Sequence, residues 1–109
     1  MLFDGALPDL NIGTNDGQSC ARDIERAVNR VAESSVYSSV LNGRFRGGYI
    51  TRHYGDPEGG IHAVQLELAQ RAYLDEASHE FDENRAFTLG ETIQSMLTVF
   101  QGSAERYST

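Results

Sequence analysis

Two hydrophobic periods alternate along this chain, and their order constrains the fold more than any other feature. Between Ala21 and Glu33, the residues Ile24, Ala27, Val28 and Val31 recur three and four apart, which sets them on one stripe of a helix. Between His62 and Leu68 the period is two. His62, Val64, Leu66 and Leu68 fall on one side of a strand, with Ala63, Gln65, Glu67 and Ala69 on the other, so one side is expected to face a core. A short apolar segment, Leu10 to Thr14, precedes the helix and runs into GTNDGQS, a strand leading into a loop, with Ser19 the expected helix cap. Val36 to Leu41 is a second expected strand. Asn42-Gly43 after it is a strong hairpin signal, with Gly48 to Tyr54 as the returning strand. Asp82 caps a closing amphipathic helix marked by Ala86, Leu89, Ile93, Leu97 and Phe100, and residues 102 to 109 are expected to fray. Strand, helix, strands, helix predicts α/β architecture with helices on a sheet.

The chain has 109 residues, and a domain of this size buries roughly two thirds of its unfolded surface, so the core is modest. Its net charge is -7, and all nine cationic residues are arginines. Three of them, Arg44, Arg46 and Arg52, stand in NGRFRGGYITRHYG (residues 42–55), which contains four glycines and no acid, so the rest of the chain carries -10. The positive charge is therefore concentrated in one place. There is no broad basic face of the kind that backbone binding to nucleic acid requires, so no nucleic-acid partner is expected, and a compact anion pocket remains open. No apolar run approaches the roughly 20 residues of a membrane span, and the opening residues lack the pattern of a signal peptide. The single cysteine, Cys20, cannot form an internal disulfide, which fits a cytoplasmic location.

In an extended stretch Arg44 and Arg46 share a face and Phe45 takes the other, so two guanidinium forks can approach one anion; a planar fork binds a carboxylate bidentately. The alternative is a glycine-rich hairpin whose arginines pair with surface acids. Glu67 lies on the polar side of its strand, a suitable place for a general base, or else for an edge-strand glutamate in solvent. His53 and His62 raise the question of a metal. His62 and Glu67 are five apart, however, and an unbroken strand points them to opposite faces, so no metal-ligand set is expected within these residues. His79, among acids, reads as a solvated loop residue, and Cys20 as a small buried side chain.

Taken together, PDLNIGTNDGQSC, VLNGRFRGGYITRHYG and IHAVQLELAQRAYLDE, in this order and spacing, resemble the C-terminal part of N-formylglutamate amidohydrolases (deformylases). The likeness covers roughly residues 3 to 90, and residues 1–109 read as the C-terminal portion of such a domain. The resemblance implies a partial α/β/α sandwich with a mixed sheet, similar to the zinc-dependent exopeptidases. It also implies metal-dependent hydrolysis of the formamide of N-formyl-L-glutamate to L-glutamate and formate, in histidine breakdown. A small dianionic substrate fits the cluster of Arg44, Arg46 and Arg52, with Asn42 and His53 beside it as further candidates for substrate contact. QLELAQR is similar to the strand that presents a glutamate to a metal-bound water in metallocarboxypeptidase-like enzymes, and that glutamate is Glu67 here.

Members of the family are more than twice this length, and the resemblance places the ligands of the divalent metal, zinc, in an upstream half. The chain alone is therefore expected to be inactive, with an open sheet edge that favours self-association. The competing interpretation is a non-catalytic anion-binding module, or an inactive truncated remnant.

Overall fold

In the computed structural model, which describes residues 7–75, 77, 78 and 80–106, the first three strands form a mixed sheet in the order β2-β1-β3. β1 (Leu10–Gly13) is central, parallel to β2 (Ser39–Leu41) and antiparallel to β3 (Gln65–Leu68). A parallel neighbour requires a crossover, and α1 (Arg22–Ser34) supplies it. After β2 come α2 (Tyr49–Tyr54), β3, a two-stranded ribbon of β4 (Leu74–Asp75) and β5 (Glu80–Phe81), and α3 (Glu83–Glu105).

Register sets the two faces of the sheet. Leu10 pairs with Ser39 and Leu68, and Ile12 with Leu41 and Leu66, so these side chains share one face. That face packs on Val28 and Ala32 of α1 and on Leu89 and Met96 of α3. Leu10, Ile12 and Ile24 are fully enclosed, each contributing about 1.5–3 kcal/mol of transfer free energy. The opposite face carries Asn11, flanked by Val40 and Glu67, and then Gly13 beside Gln65. The register of the sheet thus separates an apolar face that holds the molecule together from a polar one.

The α/β class and the mixed sheet match the expectation from sequence. Among the described residues α1 and α3 lie together on the apolar face of the sheet. Asp82 caps α3 as expected, its Oδ1 accepting the Arg85 amide at 3.1 Å.

Several local expectations are corrected. Asn42-Gly43 does not make a hairpin, because β2 runs parallel to β1; Asn42 instead ends the strand with a left-handed φ of 53°. Gly48 to Tyr54 is not a strand. Its aromatic and β-branched residues suggest one, but the segment forms α2, in which Arg52 N donates to Gly48 O and the Thr51 side chain is buried. β3 starts only at Gln65. Ser19 does not cap α1: its hydroxyl donates to Ala63 O at 2.7 Å and Ala21 takes the cap position. α3 continues through Glu105 rather than fraying at 102, and its Leu97 is 55% exposed while Met96 is buried in its place. His79 lies outside the described residues.

Candidate functional site

Because β1 and β2 are parallel, the loops that follow them, residues 14–20 and 42–48, emerge at the same edge of the sheet; β3, running the other way, begins there with Gln65. The carboxyl ends of parallel strands are where open α/β sheets bind ligands.

The first loop turns sharply through three consecutive left-handed residues, Asn15, Asp16 and Gly17, with φ of 51°, 56° and 85°. Asn, Asp and Gly are the residues that tolerate this region, which is why TNDG can make the turn. The Thr14 hydroxyl is its hub. It accepts from Gly17 N at 3.0 Å and from Asn42 Nδ2 at 2.9 Å, and donates to Glu25 Oε2 at 2.5 Å. Asn42 Oδ1 accepts from Thr14 N at 2.9 Å and Asp16 N at 3.3 Å. Asn42, expected at the substrate, is thus occupied in holding the two loops together. Beside this junction lies an open depression lined by Asp16, Gly17, Arg22, Glu25 and Asn42.

The second loop crosses the polar face of the sheet. Arg46 O accepts from Asn15 N at 2.7 Å, and a Cβ on Gly13 would stand 2.5 Å from that same oxygen. Only glycine at 13 lets the chain at 46 lie so close. Two residues on, Gly48 N donates to Gln65 Oε1, and Gln65 Nε2 donates to Glu67 Oε1 at 3.4 Å. Gln65 therefore connects the arginine loop to the side of β3 that bears Glu67. Glu67 lies two residues beyond Gln65, about 7 Å at 3.3 Å per residue.

The charges at this edge are exposed. Arg46 Nε reaches Asp16 at 3.8 Å, a loose surface pair that contributes little. Arg52 Nε turns back to Gly48 O at 3.4 Å. Arg44 makes no ion pair among the described residues, and Glu67 is open to solvent. His53 is exposed, stacked on Tyr49 with centroids 4.9 Å apart and edge-on to Tyr54.

Among the described residues no three His, Cys, Asp or Glu side chains are grouped so as to hold a metal ion. His62 uses Nδ1 to accept the Ala21 amide at 3.1 Å, which ties β3's approach to the start of α1. The Cys20 thiol is buried, and burial together with the nearby Glu25 carboxylate pushes it up to about 11, away from nucleophilic duty. No helix among the described residues is long and apolar enough to cross a membrane.

Asn11 was not singled out from the sequence. It is 1% exposed, and its Nδ2 donates to Pro8 O at 2.8 Å and to Glu67 O at 3.3 Å, which steadies the Glu67 backbone. Its Oδ1 has no hydrogen-bond partner among the described residues. The available signal was a single amide inside the apolar strand LNIG.

The described residues thus form a mixed α/β sheet with two interlocked loops at the carboxyl ends of its parallel strands, one of them bearing Arg44 and Arg46 and joined through Gln65 to the side of β3 that carries Glu67. Residues 1–74 match the family described as N-formylglutamate amidohydrolase. The chain is 48% identical over 112 residues to an N-formylglutamate deformylase of Pseudomonas putida, covering 97% of this chain and 41% of that protein. It is 60% identical over 76 residues to a deformylase of the same name from Pseudomonas aeruginosa, covering 69% of this chain and 29% of that one. The crystal structure of N-formylglutamate amidohydrolase from Ralstonia eutropha JMP134 superposes with a TM-score of 0.70 over 93% of this chain and 35% of its own, at 23% identity, which shows a shared fold. The chain belongs to the N-formylglutamate amidohydrolase family, and it spans less than half the length of these relatives.

Proposed function

We propose that this chain is the substrate-gripping and proton-transferring part of an enzyme that hydrolyses N-formyl-L-glutamate to L-glutamate and formate. The names of the relatives support this substrate, and the geometry of the described residues supports the following roles. Arg44 and Arg46 project from the loop that crosses the polar face and are free to turn toward a dianion, with Arg52 and His53 on the helix that follows. Asn42 shapes that loop rather than touching substrate. Glu67 takes a proton from the attacking water as its oxygen bonds to the formyl carbon. It then delivers that proton to the nitrogen as the C–N bond breaks, and the amine of glutamate and formate leave.

The observation that carries this proposal is Gln65, whose side chain joins Gly48 of the arginine loop to Glu67. It fixes the anion grip relative to the base, and positioning of this kind is a large part of hydrolytic catalysis. The described residues do not by themselves fit a resident divalent metal, since they group no set of three ligands. No step is therefore routed through one, and the zinc ligands are assigned to the part of the family domain that this chain does not span.

The test is to produce the chain together with the remaining part of the Pseudomonas putida relative and measure formate release. Glu67→Gln should lower turnover by about 10²- to 10⁴-fold with little change in KM. Unchanged turnover removes Glu67 from the reaction. The second reading is an anion-binding module, for which the exposed Arg44, free of any ion pair among the described residues, is the supporting observation. Calorimetric binding of glutamate by the 109-residue chain, with no formate release from the complemented protein, would select it.

A further inference from the structure

Both outer strands of the sheet, β2 and β3, have one side that pairs with no strand among the described residues. The two edges differ in what surrounds them. Beside β3, on the apolar face, an open groove is lined by Val64 and Leu66 of the β3 segment and by Ile93, Met96, Leu97 and Phe100 of α3. Leu97 is 55% exposed there, beside the buried Met96 on the same helix. An unpaired strand edge with an exposed apolar groove beside it can accept a further strand. The backbone edge supplies the ladder, and the groove receives alternate side chains. The β2 edge is shorter, three residues of intermediate burial, with Val36 86% exposed just before it.

We propose that β3 and its groove form the seam along which the rest of the family domain joins this chain. The occupant is a strand laid beside Gln65–Leu68, with an apolar side chain seated among Leu66, Ile93, Leu97 and Phe100. The proteins this chain matches continue for more than half their length beyond what it covers, so a polypeptide of the required kind exists in the family. The seam also has a functional consequence. A strand added at β3 lies next to Glu67 on the polar face, which brings any ligands it carries to the proposed base. The inference rests on family membership and on the groove, and is independent of the proposed reaction.

The experiment is to co-produce the 109-residue chain with the remaining part of the Pseudomonas putida relative and to read association rather than activity. Sedimentation should give a one-to-one complex, and the backbone amides of residues 65–68 should exchange at least tenfold more slowly in the complex than in the chain alone. Leu97→Arg should weaken the complex at least tenfold, and Val36→Arg should leave it unchanged. Both positions are exposed, so both variants should retain the helical circular dichroism of the parent. The proposal is overturned if no complex forms, or if Val36→Arg disrupts it while Leu97→Arg does not. It is also overturned if the only species that Leu97→Arg disrupts is a pair of identical chains.

Discussion

Asn42 and Thr14 clasp one another in both directions: Thr14 N donates to Asn42 Oδ1 at 2.9 Å, and Asn42 Nδ2 donates to Thr14 Oγ1 at 2.9 Å. The clasp closes the two loops at the carboxyl ends of β1 and β2, and it is held by a residue in the left-handed region. Asn42→Gly removes the amide and keeps that backbone conformation, whereas Asn42→Ala loses both. Asn42→Ala should therefore be the less stable of the two by about 1–2 kcal/mol in urea unfolding, the cost of left-handed backbone for an ordinary residue. Equal stabilities would show that the loop rearranges when the clasp is broken.

Gly13 allows the chain at Arg46 to rest on the sheet, and a Cβ there would stand 2.5 Å from a backbone oxygen. Backbone cannot swing aside as a flexible side chain can. Gly13→Ala should cost about 1–3 kcal/mol, as overpacking does, and should raise proteolysis within residues 43–48. A variant as stable as the parent would mean that the arginine loop is not held on β1.

Gln65 is the only described side chain that touches both Gly48 and Glu67 through hydrogen bonds. Gln65→Leu preserves bulk and removes both. In the complemented enzyme it should reduce kcat more than tenfold while Glu67 remains in place, with a loss of about 1 kcal/mol in stability from the bonds themselves. Wild-type kinetics would dissolve the proposed coupling between grip and base.

The exposed arginines should act on binding. Arg44→Ala in the complemented enzyme should raise KM for N-formylglutamate tenfold or more and change kcat little, because a neutral side chain cannot form the charge-assisted bonds that a guanidinium makes. Arg44→Lys should recover only part of the loss. A KM that stays constant in Arg44→Ala would release that residue from the site.

Cys20 provides a test of the fold through pH. Burial and the Glu25 carboxylate raise its thiol from 9.0 to about 11, so the folded chain holds this proton over a range in which the unfolded chain has released it. The stability contributed by the neutral thiol is complete below pH 9 and is lost as pH rises toward 11, with a slope of up to about 1.4 kcal/mol per pH unit. Urea unfolding at pH 8 and pH 10.5 measures this. At pH 8, alkylation of Cys20 should also be at least a hundredfold slower in the native chain than in denaturant.

Local elements were legible in the sequence to differing degrees. The stripe of Ile24, Val28 and Val31 and the cap at Asp82 depend on neighbours three or four residues away, and α1 and the start of α3 follow them closely. Segments whose form depends on distant partners were misread. YITRHY has the composition of a strand, but it begins at a glycine whose amide is taken by Gln65 and it buries Thr51, so it winds into α2. Asn42-Gly43 signals a hairpin only if the next strand returns antiparallel, and here β2 pairs in parallel with β1.

The sequence by itself determined which side of the 62–68 segment is polar, that positive charge is concentrated between residues 42 and 55, and to which family those residues belong, because alternation, charge and motif are properties of neighbouring positions. The tertiary structure decided that Asn42 binds a loop, that Asn11 supports the Glu67 backbone, and that Gln65 joins Gly48 of the arginine loop to that carboxylate. Each of these is a contact between residues 17 to 56 positions apart, or depends on one, and exists only once β1 has paired on both sides and brought three separate loops to one edge of the sheet.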